Sequence, residues 1–353
     1  MKTELISIVV ILKNSDTDLK KTLSSILKQT YSNLEILIII EKNYKLDKNI
    51  IKFVNKDKRI KVICKKGEYN NKVFGYKKAK GKYLLYVETG DFIEKNMIEI
   101  MYNNLLQYDV DIVHSQHKIF HNGSYEIPKN ILNRNVKMNL AELEPKFFDL
   151  LYKTGNCDGV TKQLIKKKIM DNVTNVSNDL IYFSDLVINI EIYKKMNSIL
   201  FIPDELYVYE NSSNKIRLEI EESIKQIEDM LNIYYLLYKS IDEFKIKDRK
   251  HYKMSLVIRI LMILNSLIYE LKKSKNMNKK QFLVEINKII ENDKIKKIFK
   301  YLNSNKEIAD YLKRNDKMTY FFVQLFLNEK VKTLYYFYLF CFFKKIKIND
   351  TII

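Results

Sequence analysis

The sequence predicts an α/β fold with a mainly parallel sheet in its first part, followed by an all-α region. Two observations carry this. Over residues 5–87, continuous apolar, β-branched runs alternate with segments of helical spacing, the pattern of βαβ units. Beyond Asn214 the character changes. No Gly follows Gly159, no Pro follows Pro203, and long helical periodicities dominate.

Residues 5–12 (LISIVVIL) form an apolar run suited to a strand covered on both faces. After a polar turn, Leu19, Leu23, Ile26 and Leu27 recur at helical spacing, with Asp16 or Asp18 as N-cap. Residues 34–40 (LEILIII) predict a second buried strand, 46–54 a short helix and 60–64 a third strand. A helix over 70–80 and a fourth strand over 83–87 follow. Next come a helix over 95–106 and a strand over 110–114. The polar stretch 120–145, with Gly123, Pro128 and Pro145, predicts loop. Helices are expected near 146–153, 161–170 and 183–196, and short strands over 199–202 and 206–209 around Pro203. Five helices then span 216–239, 250–273, 280–301, 307–314 and 318–342. Ligands on parallel sheets sit beyond the carboxyl ends of the strands, which directs attention to 12–18, 40–47, 64–75 and 88–94.

Composition bounds the partners. The formal net charge of +19 fits either an acidic partner or a Lys-rich composition bias. Residues 215–353 hold 29 basic against 17 acidic side chains, and residues 1–214 hold 33 against 26, so the smaller region carries most of the excess. The three Cys are far apart and form no disulfide or metal pattern, which fits a reducing cytosol. The N-terminal MKTELISIVVILKN does not read as a signal peptide, and no apolar run reaches the ~18–20 residues of a spanning helix. The Lys residues are scattered among Asp and Glu without a recognised motif, which argues against nucleic acid.

Several ordered segments resemble family 2 glycosyltransferases. ISIVVILKN (6–14) is similar to that family's opening strand. LKKTLSSILKQTYSNLEILII matches its next segment, with Gln29, Thr30, Tyr31, Asn33, Glu35 and Ile36 carrying most of the likeness. KDKRIKVI (56–63) and Ala79-Lys80-Gly81-Lys82-Tyr83 resemble the third strand and the approach to the fourth. The resemblance covers the first 114 residues well and runs more weakly to about residue 211. It implies a GT-A fold, with a nucleotide-sugar-binding half over 1–114 and an acceptor-side half over 115–214; the helical region over 215–353 rests on its periodicity alone.

It also implies site residues, with departures. The donor nucleotide-diphosphate sugar would be served by Asn14, Glu41, Lys72 and Glu88. At the family's V-D-D-G-S, Ile40 replaces the first Asp and Glu41 keeps a carboxylate. At A-R-N-x-G, Lys72 replaces Arg, keeping the charge but losing the planar fork. At D-x-D-D the chain reads Glu88-Thr89-Gly90-Asp91, so Asp91 is the expected ligand of Mg²⁺ or Mn²⁺, unless Gly90-Asp91 is an ordinary turn. Inverting transfer needs a carboxylate base. Asp185, in Phe183-Ser184-Asp185-Leu186, matches the D of the family's E-D. A plain helix N-terminal acid is the alternative for it, and Asp179 is a second carboxylate nearby. Tyr207 and Tyr209 stand in the family's Y-x-Y-R-like strand, with Glu210 where a basic residue is common. Cys157 and Asp158 fall near a position that contributes to acceptor binding. His114, His117 and His121 would share a face only on a helix, and the segment reads as a strand and loop.

In the helical region, 254–268 is apolar almost all round, as in a buried helix. The run TLYYFYLFCFF (333–343) followed by Lys344, Lys345 and Lys347 suits an anionic membrane interface, helix packing or a homo-oligomer contact. The expected activity is inverting sugar transfer to a glycan or lipid-linked acceptor, in cell-surface polysaccharide or glycoconjugate synthesis, in the cytoplasm or at the inner membrane face. The alternative is a catalytically silent nucleotide- or glycan-binding scaffold, motivated by Ile40, Gly90 and Ser184.

Overall fold

The computed structural model of the chain describes residues 3–12, 16–41, 44–65, 70–128, 133–143, 146, 159–173, 184–210, 220–243, 249–273, 278–328 and 330–343. They divide into two compact units, one within residues 1–215 and one within residues 216–353.

The first unit is built on one mixed sheet. Its strands are β1 (Ile6–Ile11), β2 (Leu34–Ile40), β3 (Ile60–Cys64), β4 (Tyr83–Glu88), β5 (Phe92–Ile93), β6 (Ile112–His121), β7 (Ser124–Glu126), β8 (Val136–Asn139), β9 (Gln163–Lys166) and β10 (Ser198–Glu210). The sheet runs β3-β2-β1-β4-β9-β6-β10-β5, with β7 beside β6 and β8 beside β10. β3, β2, β1 and β4 are mutually parallel, as are β6 and β10, while β9 lies antiparallel between β4 and β6. The helices of this unit are α1 (Asp16–Leu27), α2 (Lys48–Val54), α3 (Asn71–Lys78), α4 (Met97–Tyr108), α5 (Leu140–Leu143) and α6 (Ser184–Lys195).

The continuous apolar runs have a direct cause. Every residue of β1 is buried, because both faces are covered. Ile6, Ile8 and Val10 pack in one cluster with Leu19, Leu23 and Ile26 of α1. On the other face Val9 meets α3 so closely that a Cβ on Gly75 would fall 2.3 Å from Val9 Cγ1.

The family-like Q-T-Y-x-N-x-E stretch holds this unit together. The Gln29 amide donates to the Glu94 carbonyl (2.6 Å) and accepts from the Ile98 N–H (3.1 Å), tying α1 to the start of α4. Thr30 donates to Glu99 (2.6 Å), Tyr31 to the Glu4 carbonyl, and Asn33 to the Thr3 carbonyl (2.7 Å). Glu35 is buried and accepts from the Ser7 hydroxyl (2.7 Å), the Lys80 N–H (2.8 Å) and the Lys61 ammonium (3.0 Å). Burial alone would raise its pKa; the Lys80 N–H, Ser7 and Lys61 outweigh burial and hold it below the usual carboxylate range. A lowered folded-state pKa stabilises above the unfolded value and is lost as pH falls through the folded one. Glu35→Gln should therefore cost about 1–3 kcal/mol at neutral pH. The gap between the two melting curves should close as pH drops below ~4. A gap that stays constant down to acid pH would show that the charge on Glu35 is not what matters.

The structure corrects several sequence expectations. The stretch 120–145 is not plain loop. β6 runs to His121 and turns through Asn122 (φ 47°) and Gly123 (φ 82°) into β7. Two consecutive positive φ values form the tight turn that Asn-Gly favours. β8 and α5 follow. Around 161–170 the expected helix is instead strand β9 and a 3-10 helix, Lys167–Asn172, because β9 pairs with both β4 and β6. The two strands around Pro203 are one long bulged strand, β10. The expected helix near 146–153 lies almost entirely outside the described residues.

The second unit holds α7 (Ile220–Glu243), α8 (Arg249–Lys273), α9 (Lys279–Glu291), α10 (Asp293–Ser304), α11 (Lys306–Asn315), α12 (Lys317–Leu327) and α13 (Val331–Phe343). The spans 280–301 and 318–342, expected as single helices, are each two. The backbone is extended at Asn292 (ψ 126°), and Asn328 closes α12. Leu256, Val257, Ile260, Leu261, Leu264 and Ile268 of α8 are buried, as its apolar periodicity implies. Within this core Asn265 accepts from Tyr338 of α13 (2.6 Å) and donates to Thr319 of α12 (3.3 Å). Leu334 and Tyr338 are thus core residues, while Tyr336 is exposed. Among the described residues no helix is long and apolar enough to cross a membrane.

Candidate active site

The strand order reverses direction at β1: β2 lies on one side and β4 on the other. This is the switch point where parallel sheets open a ligand crevice. Ile11 of β1 is in register with Ile39 of β2 and Glu88 of β4, so Glu88 stands at the carboxyl ends of the central strands.

Lys72 lies in the first turn of α3, whose N-cap Asn70 accepts from the Lys72 N–H (2.9 Å). The close fit of Gly75 on β1 seats this helix. The Lys72 ammonium, 6% exposed, donates to Glu88 Oε1 (2.8 Å) and to Asp185 Oδ2, in the first turn of α6. Burial alone would lower the Lys72 pKa; the Asp185 and Glu88 carboxylates overcome this and push it up, so the side chain is an ammonium. Its carbonyl accepts from the buried Tyr86 hydroxyl (3.2 Å). Lys72, Glu88 and Asp185, all expected at the site, are therefore brought together, with Asp185 113 residues from Lys72 in the chain.

Glu41 and Asp91 make their described contacts outside this cluster. Glu41 is half exposed and pairs with Lys65 (2.9 Å) across the ends of β2 and β3. Asn14, Asp179, Cys157 and Asp158 lie outside the described residues. Asp91, expected as the metal ligand, is instead a structural pin. Its Oδ2 accepts from the Tyr207 hydroxyl (2.7 Å) and its Oδ1 from the Glu210 N–H (3.2 Å), both on β10. Its carbonyl accepts from Thr22 Oγ1 (2.7 Å), which in turn accepts from the Gly90 N–H (3.1 Å). The motif reveals the residue type at 91 but not the direction its side chain takes.

Sequence reasoning missed two residues that shape this turn. Tyr207 is fully buried, and its hydroxyl accepts from the Glu88 N–H (3.3 Å) while donating to Asp91. Thr22 holds the same turn from α1. The Y-x-Y pattern pointed to Tyr207 without a task; nothing in the sequence singles out Thr22. Glu210, where a basic residue was expected, pairs with Lys21 (2.7 Å).

A second buried network flanks Asp185. Gly159 abuts it so closely that a Cβ there would lie 3.3 Å from Asp185 Oδ2. The Gly159 carbonyl accepts from Gln163 (2.9 Å) and Asn189 (3.1 Å), and Gln163 reaches Tyr193 (3.1 Å). The histidines do not converge on a metal. His114 packs on Phe201 and His117 on Tyr209. Burial, with Lys162 nearby, pushes His114 well below the ordinary imidazole range.

The divalent ion implied by the resemblance does not fit these donors. Gly90, with φ 100°, supplies no side chain at the third motif position. Asp91 has both oxygens engaged, and an ammonium already spans Glu88 and Asp185. Among the described residues no group of three or more His, Cys, Asp or Glu could hold a metal ion.

Comparison with known proteins bears on the family and the fold. Residues 7–170 match the model of glycosyl transferase family 2. The chain is 26% identical over 240 residues to glycosyltransferase GlyG of Streptococcus pneumoniae, covering 66% of this chain and 79% of that protein. It is 25% identical over 256 residues to a cholesterol galactosyltransferase of Borreliella burgdorferi, covering 66% and 71%. Among solved structures, S. aureus TarS 1–349 in complex with UDP aligns with a TM-score of 0.60 and 14% identity over 99% of this chain and 94% of that one, a likeness of fold. The same protein in complex with UDP-GlcNAc aligns at 0.57 and 12%, over 93% and 92%. The match over residues 7–170, the relatives named glycosyltransferases and the TarS likeness together support a family 2 glycosyltransferase whose first unit has the GT-A fold.

Proposed function

We propose that this glycosyltransferase moves a sugar, with inversion, from a nucleotide-diphosphate donor to a hydroxyl of a glycan or lipid-linked acceptor. The observation that carries this reading is the Lys72–Glu88–Asp185 cluster at the carboxyl ends of the central strands. Asp185, 24% exposed, is the base. Its carboxylate takes the acceptor hydroxyl proton as that oxygen bonds to the anomeric carbon, and the bond from that carbon to the diphosphate oxygen breaks. Lys72 and Glu88 face the donor. The TarS complexes with UDP and UDP-GlcNAc motivate a uridine nucleotide, and the cholesterol galactosyltransferase motivates a lipid acceptor, as one choice beside a glycan.

Adding UDP should raise the melting temperature by mass action, as any ligand selective for the folded state must. No shift with any nucleoside diphosphate would sink the donor-site reading. A catalytically silent binding module is the second reading, favoured by Ile40 and Gly90 at positions where the family keeps Asp. UDP binding without slow hydrolysis of any UDP-sugar would select it. A cytoplasmic enzyme working at the inner membrane face, in polysaccharide or glycoconjugate synthesis, fits such acceptors. The membrane contact would use the aromatic-then-lysine C-terminus. Leu334 and Tyr338 are occupied in helix packing, and Lys344, Lys345 and Lys347 lie outside the described residues.

A further inference from the structure

We propose that the Lys72 ammonium is the built-in cation of this site, so that donor binding needs no divalent metal. The inference rests on the donor-site reading above but adds a separate claim about what neutralises charge there.

The space between Glu88 and Asp185 has the character of a cation seat. Two carboxylates from distant parts of the chain converge on one point, and Lys72 Nζ occupies it, 2.8 Å from Glu88 Oε1 and bonded to Asp185 Oδ2. A divalent ion held by these two carboxylates would stand beside a fixed ammonium of like charge. The lysine does not swing out freely. Its side chain is 6% exposed, and its helix is seated by Gly75 against Val9.

The rest of the motif is closed to a metal by other means. A Cβ at Gly90 would meet nothing within 4 Å, so the obstacle to a carboxylate there is the backbone, whose φ of 100° an L side chain rarely adopts. Asp91 is turned to β10, with the Tyr207 hydroxyl and the Glu210 N–H on its two oxygens.

The replacement of the family's Arg by Lys at this position gains a reason. A guanidinium is a broad planar fork, whereas an ammonium is a compact point charge with three donors, closer in form to a metal ion. Two of those donors serve Glu88 and Asp185. In this proposal the third serves a diphosphate oxygen. Deleting the ammonium would remove the cation that spans the two carboxylates and open their shared seat to a divalent ion.

The test uses the full chain and has two parts. Mn²⁺ is titrated calorimetrically into wild-type protein and Lys72→Met without nucleotide; UDP is then titrated into each in EDTA and in Mn²⁺. Wild type should take up no Mn²⁺ and bind UDP equally in both media. Lys72→Met should gain a Mn²⁺ site, lose about tenfold or more in UDP affinity in EDTA, and recover it with Mn²⁺. A Mn²⁺ site in the wild type, tenfold tighter UDP binding with it, or no gained site in Lys72→Met would each overturn the proposal. If Lys72→Met fails to fold, the wild-type titrations in EDTA and Mn²⁺ decide alone. Failure of UDP to bind in any medium would instead refute the donor-site reading, and the Mn²⁺ titrations would still judge the cation seat.

Discussion

Asp185→Asn should slow sugar transfer by ~10²-fold or more while leaving UDP affinity within a few-fold of wild type. The asymmetry follows from the two tasks of the cluster. Asn keeps the size of the side chain and an oxygen that can accept from Lys72, so the donor side of the site stays in place. It cannot take a proton at neutral pH. The loss should therefore appear in kcat, with little change in the donor KM. Glycosyl transfer under donor saturation, beside UDP calorimetry on the same preparation, separates the two. Unchanged kcat would reduce Asp185 to a helix N-terminal acid that anchors Lys72. Equal losses in kcat and UDP affinity would mean that the carboxylate matters for holding the ammonium, not for proton transfer.

Gly81→Ala should be the most destabilising single-methyl addition in the first unit, at about 3 kcal/mol, the upper range of overpacking. The added Cβ would lie 2.5 Å from Ser7 N, 2.7 Å from Ser7 Oγ and 2.8 Å from the Leu5 carbonyl. Two of these are backbone atoms of the β1 edge and cannot rotate away. Moving them disturbs the β1–β4 pairing and two bonds made on the spot: the Gly81 N–H to Ser7 (2.8 Å) and the Lys82 N–H to the Leu5 carbonyl (2.8 Å). The melting temperature should fall by roughly 6–12 °C, if a unit of this size loses ~2–4 °C per kcal/mol. A loss under ~0.5 kcal/mol in urea unfolding would show that β1 gives way more easily than its packing implies.

Much of the first unit is legible in the sequence because burial on both faces writes itself as unbroken apolar runs. β1, β2 and β4 end within a residue or two of their expected limits. The signal fails where pairing overrides local preference. Gln163–Lys166 leads into a lysine-rich segment of helical appearance, and only its place between β4 and β6 makes it a strand. The Asn122-Gly123 turn was readable, but the polar residues around it obscured the hairpin. In the second unit apolar residues recur on both sides of Asn292 and Asn328, with no Gly or Pro to mark the breaks there. At the site, position in the family pattern named Lys72, Glu88 and Asp185 individually. Their convergence on one ammonium depends on contacts between distant parts of the chain, which no spacing rule carries. Asp91 shows the converse: a carboxylate in the expected register, with its oxygens committed to β10.

The pin between Asp91 and Tyr207 joins residues 116 apart, and this sets an order of assembly during synthesis. The strands β1 to β4 leave the ribosome first, carrying Lys72, Glu88 and Asp91. At about 5–20 residues per second, roughly 6–23 s pass before Tyr207 is added. During that interval the Glu88–Asp91 turn has its anchor on Thr22 but not on β10, and Lys72 has Glu88 but not Asp185. A nascent chain that stops at residue 170, where the family match ends, holds strands β1 to β9 yet neither Asp185 nor Tyr207. The newborn protein thus lacks Asp185 until α6 is made, and its buried carboxylate at 91 waits on β10 for its partner.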